Sequence, residues 1–151
     1  MNYSSETTRS CNAFKSGKDL ENRMEGHLVE TNYLETNKFL MRDTDRKKAF
    51  SKQVTVEKSI TGKGRICDFL IKSPKFKKGL IIEAKHQTNS SNMENMLIYT
   101  ALSMVKSKKP GMLVLDGGGF SKGLVIYLKE LEKLNKNFMV RDFKTFCKEI
   151  C

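Results

Sequence analysis

Two short apolar segments, joined by a turn that contains Pro and Gly, constrain the fold of this chain more than any other feature of the sequence. They are RICDFLI (65–71) and LIIEAK (80–85), and both have the length and apolar content of β-strands. The connecting segment KSPKFKKG is polar and basic, as expected of a surface turn. The two segments are therefore predicted to form an antiparallel hairpin.

Each strand of this hairpin contains acidic residues among apolar ones. We assume the register that pairs Ile71 with Leu80. It places Asp68 directly opposite Glu83, with the two Cβ atoms about 5 Å apart. Side-chain alternation also puts Lys85 on the same side of its strand as Glu83. Because an unpaired charge in an apolar strand is costly, this pattern favours a functional role for the two acids.

Two carboxylates at this separation favour a hard divalent ion, and the backbone carbonyl of Ala84 could supply a further oxygen ligand. Lys85 could orient a water and stabilise the charge that develops on a phosphate. The hairpin therefore indicates a site for phosphodiester cleavage. We expect Mg²⁺, with Mn²⁺ able to replace it, bound by Asp68, Glu83 and the Ala84 carbonyl. A solvated strand end is the alternative, since 30% of the residues are charged.

A helix is predicted before the hairpin. Leu, Met and Leu recur every four residues in 20–28, which is the apolar stripe of an amphipathic helix that begins at Gly17. Residues 1–16 are rich in Ser, Thr and Asn without periodicity and are expected to form a flexible arm. Residues 17–151 are expected to form a single domain.

Helices and strands are predicted to alternate after the hairpin. Ser91 and Glu94 have the spacing of a helix capping box, and the apolar face that comes after them ends before Pro110. The segment MLVLD (112–116) is typical of a strand buried in a parallel sheet, and a helix, the short strand NFMV and a terminal helix come after it. QVTVEKSI (53–60) adds a strand before the hairpin. The predicted class is α/β, with a central mixed β-sheet flanked by helices.

Positive charge is concentrated in the middle of the sequence. The net charge is +11, and in residues 38–78 Lys and Arg outnumber Asp and Glu by 13 to 4. Such a charge favours a polyanionic partner, although a ribosomal or membrane surface would attract it as well. No apolar run approaches the ~20 residues that span a bilayer. We therefore expect a soluble, intracellular protein, cytoplasmic or nucleoid-associated.

Ten residues that flank the proposed metal site in sequence are predicted to bind nucleic acid, mainly through its backbone. They are Arg42, Arg46, Lys47, Lys48, Lys63, Arg65, Lys75, Lys77, Lys78 and His86. A solvated basic surface is the alternative for each of them, and His86 could also act as a base or have no role. No nucleotide cofactor is expected, because no Gly-Lys-Ser/Thr comes after the glycines at 117–119.

The sequence resembles the PD-(D/E)XK nuclease superfamily, whose members share a restriction-endonuclease-like fold. The resemblance covers residues 17 to about 120 and is carried by GKDLE (17–21), RICDF (65–69), IEAKHQ (82–87) and LVLDGGGF (113–120), in that order. It implies that Asp68 and Glu83 are metal ligands and that Lys85 is the catalytic lysine. It also implies that Glu21 is an additional acid near the metal and that Gln87 lies at the edge of the active site.

One position departs from the family pattern. Cys67 stands where the family has the proline that names the motif, at a position that varies widely among its members.

The expected function is metal-dependent cleavage of DNA, with sequence-specific cutting of the restriction or homing type favoured. A structure-specific, junction-resolving nuclease of the same fold and a non-catalytic nucleic-acid-binding protein remain the alternatives.

A symmetric dimer or tetramer is expected, because one metal site of this type cuts one strand of a duplex. Candidate interface residues are Phe138, Phe143, Phe146 and Ile150, near the end of the chain. Burial of these residues in the core of their own domain is the alternative.

Overall fold

The computed structural model describes residues 4–37, 47–88 and 93–151, with side chains described from residue 17 onward. Its strands are β1 (Leu34–Glu35), β2 (Ala49–Lys58), β3 (Gly64–Lys72), β4 (Leu80–His86), β5 (Gly111–Asp116) and β6 (Phe138–Asp142). Its helices are α1 (Ser4–Glu30), α2 (Glu94–Lys106), α3 (Lys122–Leu134) and α4 (Phe143–Glu149). Among the described residues, no helix has the length and apolar character needed to cross a bilayer.

The strands of the described residues form one mixed sheet, in the spatial order β1 to β6. Tight connections make β2, β3 and β4 antiparallel neighbours. Strands β4, β5 and β6 are parallel, because α2 and α3 cross over between them, and β1 is parallel to β2. The predicted α/β class with a central mixed sheet flanked by helices is confirmed.

Helices cover both faces of the sheet, because side chains alternate along each strand. In β5, Met112 and Val114 pack into the core formed with α1 and α4. Leu113 and Leu115, which alternate with them, pack into the core formed with α2 and α3. This two-sided burial explains why the sequence of β5 is almost continuously apolar.

The apolar stripe of α1 holds this helix against the sheet. Leu20, Met24 and Leu28 are fully buried, so the predicted stripe is confirmed. The helix begins at Ser4 rather than at Gly17, so residues 4–16, which belong to the predicted flexible arm, have a helical backbone. The low helix propensity of Ser, Thr and Asn is a weak tendency, and an existing helix extends at little cost per residue.

Two local predictions differ from the structure. Strand β2 begins at Ala49, four residues before its predicted start, because its first residues pair with the end of β3. The capping box is wrong: Met93 is the N-cap of α2 and makes no side-chain capping bond. Glu94 instead accepts a hydrogen bond from the Ser121 hydroxyl. Ser91 lies outside the described residues.

The residues predicted to form a dimer interface lie in the core of their own domain. Phe138, Phe146 and Ile150 are each at most 1% exposed. Phe143 is half-buried and stacks on Phe146, with ring centroids 6.2 Å apart. Helix α4 is therefore part of the core, and the interface prediction is wrong for Phe138, Phe146 and Ile150.

The strand directions divide the sheet into two ends. We call the end that holds Gly64, His86 and Asp116 the site end, because β3 starts there and β4 and β5 finish there. The far end holds the turn between β3 and β4, residues 73–79. Helix α1 packs over the sheet, with Glu21 close enough to Asp68 and Lys85 for their charges to act on it.

Candidate active site

Asp68 and Glu83 lie just past the point where the backbone pairing of β3 with β4 ends and side-chain contacts begin. The predicted register is confirmed, since Ile71 lies opposite Leu80. Beyond the ladder, Oδ2 of Asp68 accepts a hydrogen bond from the backbone N–H of Ala84 at 2.7 Å. The carboxylate therefore takes the place of a backbone acceptor, and this bond fixes its orientation next to Glu83.

The carboxyl group of Glu83 is buried beside that of Asp68. Its residue is only 5% exposed. Burial raises the pKa of Glu83 to about 7, and the charge of Asp68 and a hydrogen bond with it act in the same direction. The charges of Lys85 and Arg65 lower the pKa but do not cancel the increase. Two carboxyl groups in such an environment cannot both ionise freely without a neighbouring cation.

Lys85 and Glu21 complete a cluster of four charged residues. The positive charge of Lys85 lowers the pKa of both Glu83 and Glu21. Burial, together with the charge of Asp68, nevertheless raises the pKa of Glu21 above its usual value. Glu21 also pairs with Lys18 at 3.7 Å. The structure thus brings together four of the five residues predicted to be catalytic.

Gln87, the fifth, contacts the glycine turn that comes after β5. Its side-chain amide donates to the carbonyl of Gly119 at 2.9 Å, and its backbone carbonyl accepts from the Gly119 N–H at 2.8 Å. Gly117 passes so close that a Cβ there would lie 2.3 Å from the Gln87 carbonyl oxygen. The described contacts of Gln87 therefore hold this turn in place.

Cys67, at the position of the motif proline, is fully buried. Burial, together with the charges of Glu83 and Asp68, raises the pKa of its thiol to about 12. The thiol therefore stays protonated at neutral pH and packs with apolar residues of β2, β3 and β4. This chemistry is that of a core residue and not of a nucleophile.

A second polar group lies on the other face of β4. His86 Nδ1 and Asp116 Oδ2 are 2.8 Å apart, and an Arg23 guanidinium N–H donates to the same oxygen at 2.6 Å. Burial tends to raise the pKa of Asp116, but the hydrogen bonds from His86 and Arg23 bring it below its usual value. The His86 Nε2 atom is buried and has no hydrogen-bond partner among the described residues. A cleft of about 550 Å³ lies beside it, lined by Asp19, Asn22, Arg23 and His86.

Sequence reasoning missed the roles of Asp116 and Arg23. The available signal was Asp116, a charged residue that ends an apolar strand. The parallel pairing of β4 with β5 places His86 directly beside it. The contact of Arg23 required the position of α1 over the sheet, which no local pattern specifies.

The predicted nucleic-acid-binding residues lie at both ends of the sheet. Lys63, Arg65 and His86 lie at the site end, whereas Lys47, Lys48, Lys75, Lys77 and Lys78 lie at the far end; Arg42 and Arg46 lie outside the described residues. Strand β4 rises about 3.3 Å per residue, so Lys78 is roughly 15 Å from Glu83. Lys48 donates to the Thr31 carbonyl at 3.2 Å and so contacts the end of α1.

The residues present fit a hard divalent cation. The described part of the chain contains no cluster of three or more His, Cys, Asp and Glu side chains suited to a metal. Mg²⁺, however, needs only one or two carboxylates and keeps several waters. The carboxyl group of Glu83 is buried beside the half-buried Asp68, whose charge raises the pKa of Glu83, and a cation between the two would offset their repulsion. The Ala84 carbonyl, predicted as a further ligand, belongs to the residue whose N–H bonds to Asp68.

Comparison with known proteins identifies the family of this chain. A model of the PD-(D/E)XK nuclease superfamily domain matches residues 12–149, which is nearly the whole sequence. No match was found among curated proteins or among solved structures. The six-stranded mixed sheet and its flanking helices in the described residues agree with a restriction-endonuclease-like core. The chain therefore belongs to the PD-(D/E)XK nuclease superfamily.

Proposed function

We propose that this chain is a metal-dependent endonuclease that cuts DNA. Membership of the superfamily indicates a nuclease, and the finer assignment rests on one observation. That observation is the buried carboxyl group of Glu83 beside the half-buried Asp68, with Lys85 two residues further along the same strand. A non-catalytic binding protein would have no need for two repelling acids in this position.

Each residue of the cluster has a distinct task in this proposal. A divalent ion, with Mg²⁺ as the proposed cofactor, would be held by Asp68, Glu83 and the Ala84 carbonyl and would supply an activated water and a counter-charge for the phosphate. The Ala84 N–H keeps the Asp68 carboxylate in one orientation. The Lys85 ammonium group donates to phosphate oxygens as their negative charge increases. Glu21 helps to position the attacking water.

DNA is the proposed substrate, and cutting of the restriction or homing type is favoured. The net charge of +11 supports a polyanionic substrate. Lys63 and His86 lie at the site end, where they are proposed to contact the DNA backbone. Cutting both strands needs two active sites, so a homodimer or tetramer is part of the proposal. A DNA substrate also places the proposed activity inside the cell.

The test is a cleavage assay on a panel of substrates. The purified protein is incubated with linear duplex, supercoiled, single-stranded and branched DNA, with Mg²⁺, with Mn²⁺ and with EDTA. We expect internal cuts in duplex DNA that require the metal. Cutting of branched DNA alone would point to a junction-resolving enzyme, and the absence of cutting on all substrates would point to a binding protein.

The acid pair provides the first prediction. Asp68→Asn and Glu83→Gln should each lower the cleavage rate at saturating DNA by at least about 100-fold, because each removes a charged group that acts on the reacting phosphate. Affinity for duplex DNA in EDTA should change by less than about threefold, since neither acid attracts the backbone. Glu130→Gln, at an exposed acid on α3, is the matched control and should cut like the wild type. Near-normal cutting by either site variant would show that the pair is not catalytic.

A further inference from the structure

The guanidinium group of Arg65 is buried without a hydrogen-bond partner. Its Nε and both terminal nitrogens are inaccessible to solvent, and none has a partner among the described residues. By contrast, Arg141 is bonded to Glu132 and Glu149. A buried polar group without a partner costs about 1–3 kcal/mol, and a charged group costs more. His86 Nε2 is the other buried side-chain atom of the described residues that has no partner, and such exceptions require an explanation.

The position of Arg65 suggests that explanation. It lies at the start of β3, at the site end of the sheet and three residues before Asp68. Its charge is close enough to lower the pKa of Glu83 and that of the Cys67 thiol. No hydrogen bond joins its guanidinium to Glu83 or to any other described residue. The five N–H donors of its guanidinium therefore remain free for another anion.

We propose that Arg65 binds the phosphate group that the enzyme cleaves. A planar guanidinium matches two oxygens of a phosphate, which a lysine cannot do in the same way. The residue as a whole is only half-buried, and the proposal requires a change of side-chain rotamer that brings the fork to a phosphate at the acid pair. Arg65 thus differs from the exposed lysines, which are suited to contacts along the backbone.

This inference rests on the proposed function and predicts an unusual combination of effects. Arg65→Met removes the charge and the N–H donors and keeps most of the volume. It should cut DNA at least about 100-fold more slowly, as expected for the loss of a group that stabilises the transition state. Its melting temperature should be equal to or higher than that of the wild type, because an unsatisfied buried charge is removed. A structural arginine would give the opposite result, a lower melting temperature.

Two further variants separate charge from geometry. Arg65→Lys keeps the charge without the fork, so it should retain the salt dependence of DNA binding while still cutting slowly. Lys136→Met removes an exposed charge at the far end of the sheet and should leave the cutting rate and the salt dependence of DNA binding unchanged. Salt dependence is measured from the affinity for a 20-base-pair duplex at a series of salt concentrations. EDTA is present, so that no cutting occurs. The loss of one phosphate contact should lower the slope of log K against log salt by about 0.9.

The cutting rate and the salt slope together distinguish the proposed nuclease function from the proposed role of Arg65. If the wild type cuts DNA, near-normal cutting by Arg65→Met overturns the role of Arg65 and leaves the proposed function intact. If the wild type cuts nothing, the proposed function fails and the salt slope decides the role of Arg65. If the slope in Arg65→Met is lower by about 0.9, the value for one phosphate contact, the arginine binds phosphate; an unchanged slope rejects this role.

Discussion

Gly117 controls how closely the turn after β5 approaches Gln87. Its φ angle is +92°, a conformation that residues with a side chain rarely adopt, and a Cβ would collide with a backbone oxygen. Gly117→Ala should therefore destabilise the fold by about 3 kcal/mol, from backbone strain and the clash together. Urea denaturation monitored by circular dichroism measures the change.

The neighbouring glycine is the matched control for this prediction. A Cβ at Gly118 would meet no atom within 4 Å. Gly118→Ala should change the free energy of unfolding by less than about 0.5 kcal/mol, as is usual for open surface positions. Equal stability of the two alanine variants would contradict the tight contact between Gly117 and Gln87.

At the scale of single residues, the sequence predicts the contacts that local rules determine. Strand alternation and one hairpin register were enough to place Asp68 and Glu83 together. The burial of Arg65 and the pairing of His86 with Asp116 were not predicted. The second depends on which strands become neighbours, since the two residues are 30 positions apart in the chain. The unpartnered state of Arg65 depends on the packing of all the elements around it.

At the scale of secondary-structure elements, two loops at opposite ends of β3 provide a paired test of where DNA binds. Lys58, the last residue of β2, and Lys63, in the loop that comes after it, lie at the site end, and the loop between β3 and β4 carries Lys77 and Lys78 at the far end. All four lysines are exposed. Exchange of two lysines for glutamine at either place removes the same amount of charge.

We expect the two exchanges to differ in their effect on DNA binding. Lys58→Gln with Lys63→Gln should lower the slope of log K against log salt by up to about 1.8, two phosphate contacts, and weaken binding at low salt. Lys77→Gln with Lys78→Gln should have a smaller effect, because these residues lie beyond the far end of the hairpin. Fluorescence anisotropy with a labelled duplex gives both slopes. A larger effect from the far-end pair would show that DNA runs along the β3–β4 turn.

The strands were easier to predict than the exact limits of the elements. Apolar content alone identified β3, β4 and β5, because buried strands cannot tolerate many polar residues. The early start of β2 arises from pairing with the end of β3, which is a long-range contact. The bond between Glu94 and Ser121 joins the starts of two helices and replaces the expected cap. It is also a long-range contact, which a local sequence pattern does not specify.

At the scale of the whole molecule, the core limits where a second copy could bind. Helix α4 contributes Phe146, and the chain end contributes Ile150, to the core shared with α1. A dimer that used these side chains would have to remove them from their own domain, at a cost of several kcal/mol for each. An interface between copies must therefore use other surfaces. A functional measurement can detect such an interface even when the residues that form it are not known.

Mixing of active and inactive subunits provides this measurement. If two copies act together on one duplex, equal amounts of wild type and Asp68→Asn should form about one-half mixed dimers, each with a single active site. Mixed dimers cut one strand, so nicked circles should accumulate on a supercoiled plasmid that the wild type alone converts to linear DNA. Light scattering during chromatography should give about twice the chain mass of 17.3 kDa for the free protein, or for the protein component of the DNA complex once the mass of the duplex is subtracted. A mass of one chain in both states, with products that are unchanged on mixing, would instead show an enzyme that cuts each strand independently as a monomer.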